Sequence, residues 1–182
     1  MKKIFAILAL AITGTAFAAD SFTVEGQHVN NAGAAAQQTY AVGIKKELGG
    51  RFAGDVAFVN TQTEGTGALT TRLEAGLTAA GPMGLYVRAA TGQKYSNTTD
   101  FAYYSVEPGI AVPVPGVAGL TAKVGYRWRS AFDSSASGDQ THTARYSLAY
   151  ALSKNDTVAV KYDRVNGDNN QKNVAVAYTR GF

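Results

Sequence analysis

The sequence predicts an all-β protein, a transmembrane antiparallel up-and-down β-barrel of ten strands, and three observations predict it. The first is a leader: Lys2 and Lys3 precede the apolar run Ile4 to Ile12, and the stretch closes on Ala16-Phe17-Ala18. Those are the charged, apolar and small-residue segments of a secretory signal peptide. Its apolar core is far shorter than the roughly 20 residues a spanning helix needs, so residues 1–18 are set aside and 19–182 form one barrel domain. The second is alternation: beyond the leader no 3.6-residue apolar stripe persists, whereas a two-residue period recurs throughout. The third is the connections, which alternate between tight turns and longer polar loops.

The weakest strand comes first, near 21–29, with Phe22 and Val24 on one parity. Others are predicted near 39–48 (Tyr40, Val42, Ile44, Leu48), 51–60 (Phe52, Val56, Phe58), 68–80 (Leu69, Leu73, Ala75, Leu77) and 84–95 (Leu85, Val87, Ala89). The series continues near 102–112 (Tyr104, Val106, Ile110, Val112), 119–131, 141–153 (Tyr146, Leu148, Tyr150, Leu152), 156–164 (Val158, Val160, Tyr162) and 172–182. The clearest case is Leu120 to Arg129, where Leu, Ala, Val, Tyr and Trp hold one parity and Thr, Lys, Gly and two Arg the other. Such a strand has one oily face and one charged face. Eight strands is the alternative, reached if the weak first strand and one short later strand do not span.

Leu48-Gly49-Gly50-Arg51, Gly81-Pro82-Met83-Gly84, Pro113 to Gly119 and Ser153-Lys154-Asn155-Asp156 are tight or rich in glycine and proline, and belong on the periplasmic side. Asn30 to Gln38, Thr61 to Gly67, Ser96 to Phe101, Phe132 to Gln140 and Val165 to Gln171 are longer and polar, and are expected outside, with Ser134 and Asn169 exposed on intact cells. On this orientation Tyr40, Phe58, Tyr104, Tyr126, Trp128, Tyr146 and Tyr162 cluster toward the outer rim. Phe22, Phe52, Tyr150 and Phe182 fall at the inner rim. Two aromatic girdles around an aliphatic band suit two lipid interfaces. A soluble sandwich would also alternate, but its polar parity would not carry mid-strand clusters such as Arg72 with Glu74 or Arg127 with Arg129.

The chain ends Asn173-Val174-Ala175-Val176-Ala177-Tyr178-Thr179-Arg180-Gly181-Phe182. Val174, Val176, Tyr178 and the terminal Phe182 resemble the C-terminal signal by which outer-membrane barrels are recognised, although Arg180 stands where that signal usually has a hydrophobic residue. The whole plan of leader, barrel and terminal Phe is similar to the small outer-membrane porins of Gram-negative bacteria. The resemblance implies location in the cell outer membrane, contact with its lipids and lipopolysaccharide, delivery by periplasmic chaperones and the barrel assembly machinery, and a monomeric channel without a cofactor. It does not select one family.

Function must be read from the inward parity, which carries Lys45, Arg51, Arg72, Arg88, Lys94, Lys123, Arg127, Arg129, Arg145 and Lys161 against Glu25, Glu47, Asp55, Glu74, Glu107 and Asp163. Charges at this density must pair or stay hydrated. Their excess of bases, opposite a wall of Ala53, Ala57, Ser147, Ala149, Ala151, Ala175, Ala177 and Thr179, predicts a narrow passage preferring anions. A closed barrel whose charges lock together is the alternative, acting in structure or surface interaction, since side chains fill the smallest barrels.

A lipid-modifying enzyme is a third reading, because some barrels of this size are lipid A acyltransferases, lipid A deacylases or proteases. These need a His with a Ser or acidic partner. Only His28 and His142 exist, both on the outward parity; His142 lacks the His-x-Ser spacing, and no acid lies beside His28. No catalytic residue is assigned. Asp163, Asp168, Asn169 and Asn170 lack the Gly and terminal Glu of a calcium loop, so no metal is assigned; that hairpin is expected to touch lipopolysaccharide through Arg164 and Lys172. The chain has no cysteine, which excludes disulfides and thiolate metal sites. Removing Lys2 and Lys3 lowers the formal net charge from +4 to +2, a balance that gives no case for nucleic acid.

Overall fold

The computed structural model describes residues 20–31, 34–96, 100–133, 140–168 and 170–182. The leader, Ser134 and Asn169 lie outside them. Ten strands form: β1 Ser21–Asn31, β2 Gln37–Gly49, β3 Phe52–Thr63, β4 Leu69–Ala80, β5 Leu85–Ser96, β6 Phe101–Pro113, β7 Leu120–Ala131, β8 Thr141–Ala151, β9 Asp156–Gly167 and β10 Gln171–Gly181. Each pairs antiparallel with its neighbours in sequence, and β1 pairs with β10 from Ser21↔Gly181 to Asn31↔Gln171, closing the sheet. The weak first strand is therefore a full member of the wall, and the count is ten, not eight. Closure is what lipid demands, because a free strand edge would leave N–H and C=O groups unpaired.

The wall is polar inside and apolar outside. Mid-strand aliphatics stay open, with Leu148 53% and Val176 56% exposed, while Glu107 is 2% and Thr143 0% exposed. In water each such aliphatic would forgo about 1 kcal/mol or more of burial. The outward face is a lipid face.

Turn chemistry shapes the end of the barrel where β2 turns into β3. Gly49 and Gly50 take φ of 92° and 62°, the left-handed region glycine tolerates, and the register shifts between Glu47 and Gly49. Arg51 consequently lies in this turn, before β3 begins, and is exposed. At the start of β1 the Asp20 carboxylate accepts hydrogen bonds from the Glu47 amide and the Lys46 ammonium, which hold it below the usual aspartate range. The Phe182 amide donates to the Asp20 carbonyl at 3.0 Å, and its ring stacks on Phe22 at 6.2 Å, so the start of β1 and the end of β10 are tied into one seam.

Candidate functional site

Inward side chains meet partners two strands away, which only the concave face of a closed sheet permits. Each such bridge passes over a strand that presents glycine or alanine at the crossing. Arg88 on β5 reaches Asp55 on β3, with its Nε–H donating at 3.0 Å, and lies 2.8 Å from Glu74 on the intervening β4. It crosses Gly76, where a Cβ would stand 2.5 Å from the guanidinium. Tyr103 on β6 donates its hydroxyl to Glu74 at 3.0 Å over Gly92 of β5, where a Cβ would fall 2.6 Å from the ring.

The second group centres on Glu107 of β6. Tyr86 on β5 donates to Glu107 at 3.0 Å, and Lys123 on β7 sits 4.2 Å over the Tyr86 ring, spanning β6 at Gly109. Arg145 on β8 bonds Glu107 at 2.7 Å across β7, where Gly125 leaves room, and Asp163 on β9 at 3.3 Å. The third bridge joins Lys161 on β9 to Glu25 on β1. It arches over β10, where Ala175 and Ala177 are register partners of Lys161 and Glu25. These alanines, which sequence alone assigned to an open wall, are covered by the ion pair and buried at 2% and 3% exposure. Small residues here make room for bridges.

The remaining inward charges are placed differently. Lys45 and Glu47 pair in the open near the C-terminal end of β2. Lys94 lies over the Phe101 ring at 4.8 Å and Arg129 over Tyr103 at 5.3 Å. Among the described residues Arg72 and Arg127 make no ion pair or hydrogen bond. The wall is not packed solid around its charges: the side chains of Arg145 and Lys161 keep 29% and 30% of their surface accessible and that of Lys123 45%.

Tyr86 and Tyr103, which tie the acids into these groups, were not named among the inward residues expected from the sequence. The signal available was their place on the charged parity, beside Arg88 and Glu107. Of the terminal strand's proposed signal residues, Val174, Val176 and Phe182 are exposed on the outer wall, and the Tyr178 hydroxyl donates to Asp156. His28 hydrogen-bonds Gln38 at 2.9 Å, and His142 lies 6.2 Å from the Tyr126 ring; both are on the outward face. A concavity of about 750 Å³ also faces outward, lined by apolar side chains such as Leu85, Val87, Ile110 and Val124. Its lining also includes Tyr86, Gly109 and Gly125, so it backs through the wall onto the Glu107 group. Here Pro108 interrupts the β6–β7 ladder between Val106↔Trp128 and Gly109↔Gly125, having no N–H to donate.

No family model and no curated protein matches the chain. Solved structures do. The KdgM porin aligns with a TM-score of 0.51 at 11% identity, covering 88% of this chain and 99% of that one. The NanC porin gives 0.52 at 9% identity, with 88% and 100% covered. An outer membrane channel from Pseudomonas putida F1 gives 0.52 at 10% identity, with 91% and 96% covered. The fold is that of outer-membrane porin barrels. At such identities the likeness speaks for architecture, and the chemistry must come from this chain's own residues.

Proposed function

We propose that this chain is an outer-membrane channel for small solutes, with a preference for anions. The observation that carries the reading is the accessible surface kept by bridged charges in mid-wall, above all Arg145 and Lys161, which a filled barrel would have covered. Anion preference follows from the excess of bases over acids on the inward parity, Arg72 and Arg127 among them. Fixed cations along a narrow hydrated path raise the local anion concentration. The KdgM porin has been solved with oligogalacturonate; an acidic solute of that kind is compatible with this lumen. Export through the leader, reading of the Phe182 strand by the assembly machinery and a monomeric state complete the proposal.

Purified mature protein in planar bilayers should show discrete conductance steps, with a reversal potential of anion-selective sign in a potassium chloride gradient. Silence across many insertions would leave the second reading, a closed structural barrel, which the tight burial of Tyr103, Glu107 and Thr143 on one side of the lumen favours. Orientation has its own test. Single cysteines at Met83 and Thr66, in turns at opposite ends, should react differently with an impermeant reagent on intact cells: labelled at 66, protected at 83. The reverse pattern would invert the barrel.

A further inference from the structure

The bases on the outward face differ between the two ends. At the periplasmic end Lys46 stands 2.9 Å from Asp20, and Arg180 stands 3.6 Å from Asp156. At the opposite end Arg164 of β9 and Lys172 of β10 are direct register partners. Both are exposed, and among the described residues neither makes an ion pair or hydrogen bond. Like charges directly opposite each other destabilise an antiparallel pair, and a neutral residue at either position would relieve the repulsion.

Their surroundings indicate what relieves it instead. One pair further into the wall on the same face are Val174 and Tyr162, also partners and both exposed to lipid, and Tyr162 lies 6.3 Å from Tyr146. On its other side Lys172 is the register partner of Asn30 on β1, a polar residue at the same level. The two cations thus stand where the apolar band ends, the level of lipid headgroups. Opposed side chains on one sheet face start about 5 Å apart, close enough for a guanidinium fork and an ammonium to straddle one phosphate. Arg164's other register partner is Ala144, which leaves that flank open.

We propose that Arg164 and Lys172 form a docking site for a phosphate group of an outer-leaflet phosphorylated glycolipid. The site rests on the outer-membrane reading above and needs no open lumen. It would tether the β8–β10 side of the barrel to the outer leaflet.

The test uses the refolded mature protein in phosphatidylcholine vesicles containing a few mole per cent of bisphosphorylated or dephosphorylated lipid A, with bound lipid A measured at low salt. Each basic residue near a charged membrane surface adds about fivefold to binding, so R164Q/K172Q should lose about thirtyfold in apparent affinity for the bisphosphorylated form. K46Q/R180Q, at the other rim, should bind like the parent, and millimolar inorganic phosphate should compete poorly. Equal binding by the parent and R164Q/K172Q would overturn the site. So would equal loss in K46Q/R180Q, equal binding of dephosphorylated lipid A by the parent, or full displacement by inorganic phosphate. Heat-modifiable mobility of the same samples reports barrel insertion separately: its absence in every lipid overturns the outer-membrane reading, whereas folded parent and variants that bind alike overturn only the lipid site.

Discussion

Replacing Gly125 with valine should destabilise the barrel by about 3 kcal/mol or more, while Gly26→Val should change stability by less than about 0.5 kcal/mol. Both glycines are mid-strand with ordinary backbone angles, and only their surroundings differ. A Cβ at Gly125 would stand 2.5 Å from the Tyr86 hydroxyl and 3.0 Å from Glu107 Oε1, whereas one at Gly26 meets nothing within 4 Å. Tyr86 has no easy retreat, since its ring lies under Lys123 and its hydroxyl over Gly109. Valine must therefore displace Glu107, which is the acceptor for both Tyr86 and Arg145. Overpacking alone costs about 1–3 kcal/mol, and separating a buried charge from its partner adds to that. Denaturant midpoints in lipid vesicles, read by heat-modifiable mobility, decide it. Combining Gly125→Val with Tyr86→Phe should recover part of the loss, because the clash with the hydroxyl is removed. Equal midpoints for Gly125→Val and Gly26→Val would refute the role given to the small residue beneath the bridge.

That role marks the line between what sequence conveys and what it does not. Alternation with period two assigns each residue to a face, and lipid requires a closed ring, so the antiparallel barrel and its pairing order were legible. β1 had little more than Phe22 and Val24 to announce it, which is why eight strands stood as the alternative until its pairing with β10 decided the count. Arg51 shows where parity counting fails: the register shift at Glu47 and Gly49 and two left-handed glycines reset the count, and the residue falls in the turn. Ala175 and Ala177 show a second limit. Sequence states that a face is small, but whether that space is lumen or the path of an ion pair depends on which residues of β9 and β1 flank it. That is set by strand tilt and register around the whole ring. The same holds for Gly76, Gly92 and Gly125, each legible as inward and none legible as a crossing point.

Replacing both Arg127 and Arg129 with glutamine should reduce anion selectivity several-fold in 0.1 M salt and leave the barrel's stability within about 2 kcal/mol of the parent. The stability half follows from which residues hold the acids. Glu74 is bound by Arg88 and Tyr103, and Glu107 by Arg145 and Tyr86, so neither loses a direct partner when Arg127 becomes neutral. Arg129 gives up its place over the buried Tyr103 ring, one of its contacts, worth up to about 2 kcal/mol. The selectivity half follows from screening: at 0.1 M salt a fixed charge acts over about 10 Å, and at 1 M over about 3 Å. In a lumen this narrow the two guanidinium charges should dominate ion entry at low salt and fade at high salt, so the difference between parent and variant should shrink as salt rises. A dry plug makes the opposite forecast. There the two arginines would balance Glu74, Glu107 and Asp163 as one network, their removal would cost several kcal/mol, and leakage would appear where the parent conducts nothing. A silent parent together with a double variant that unfolds more easily would therefore sink the channel and leave a structural barrel. A conducting parent whose selectivity ignores both substitutions would sink only the assignment of Arg127 and Arg129, and would move attention to Arg72 and Lys123 at the two ends of the path.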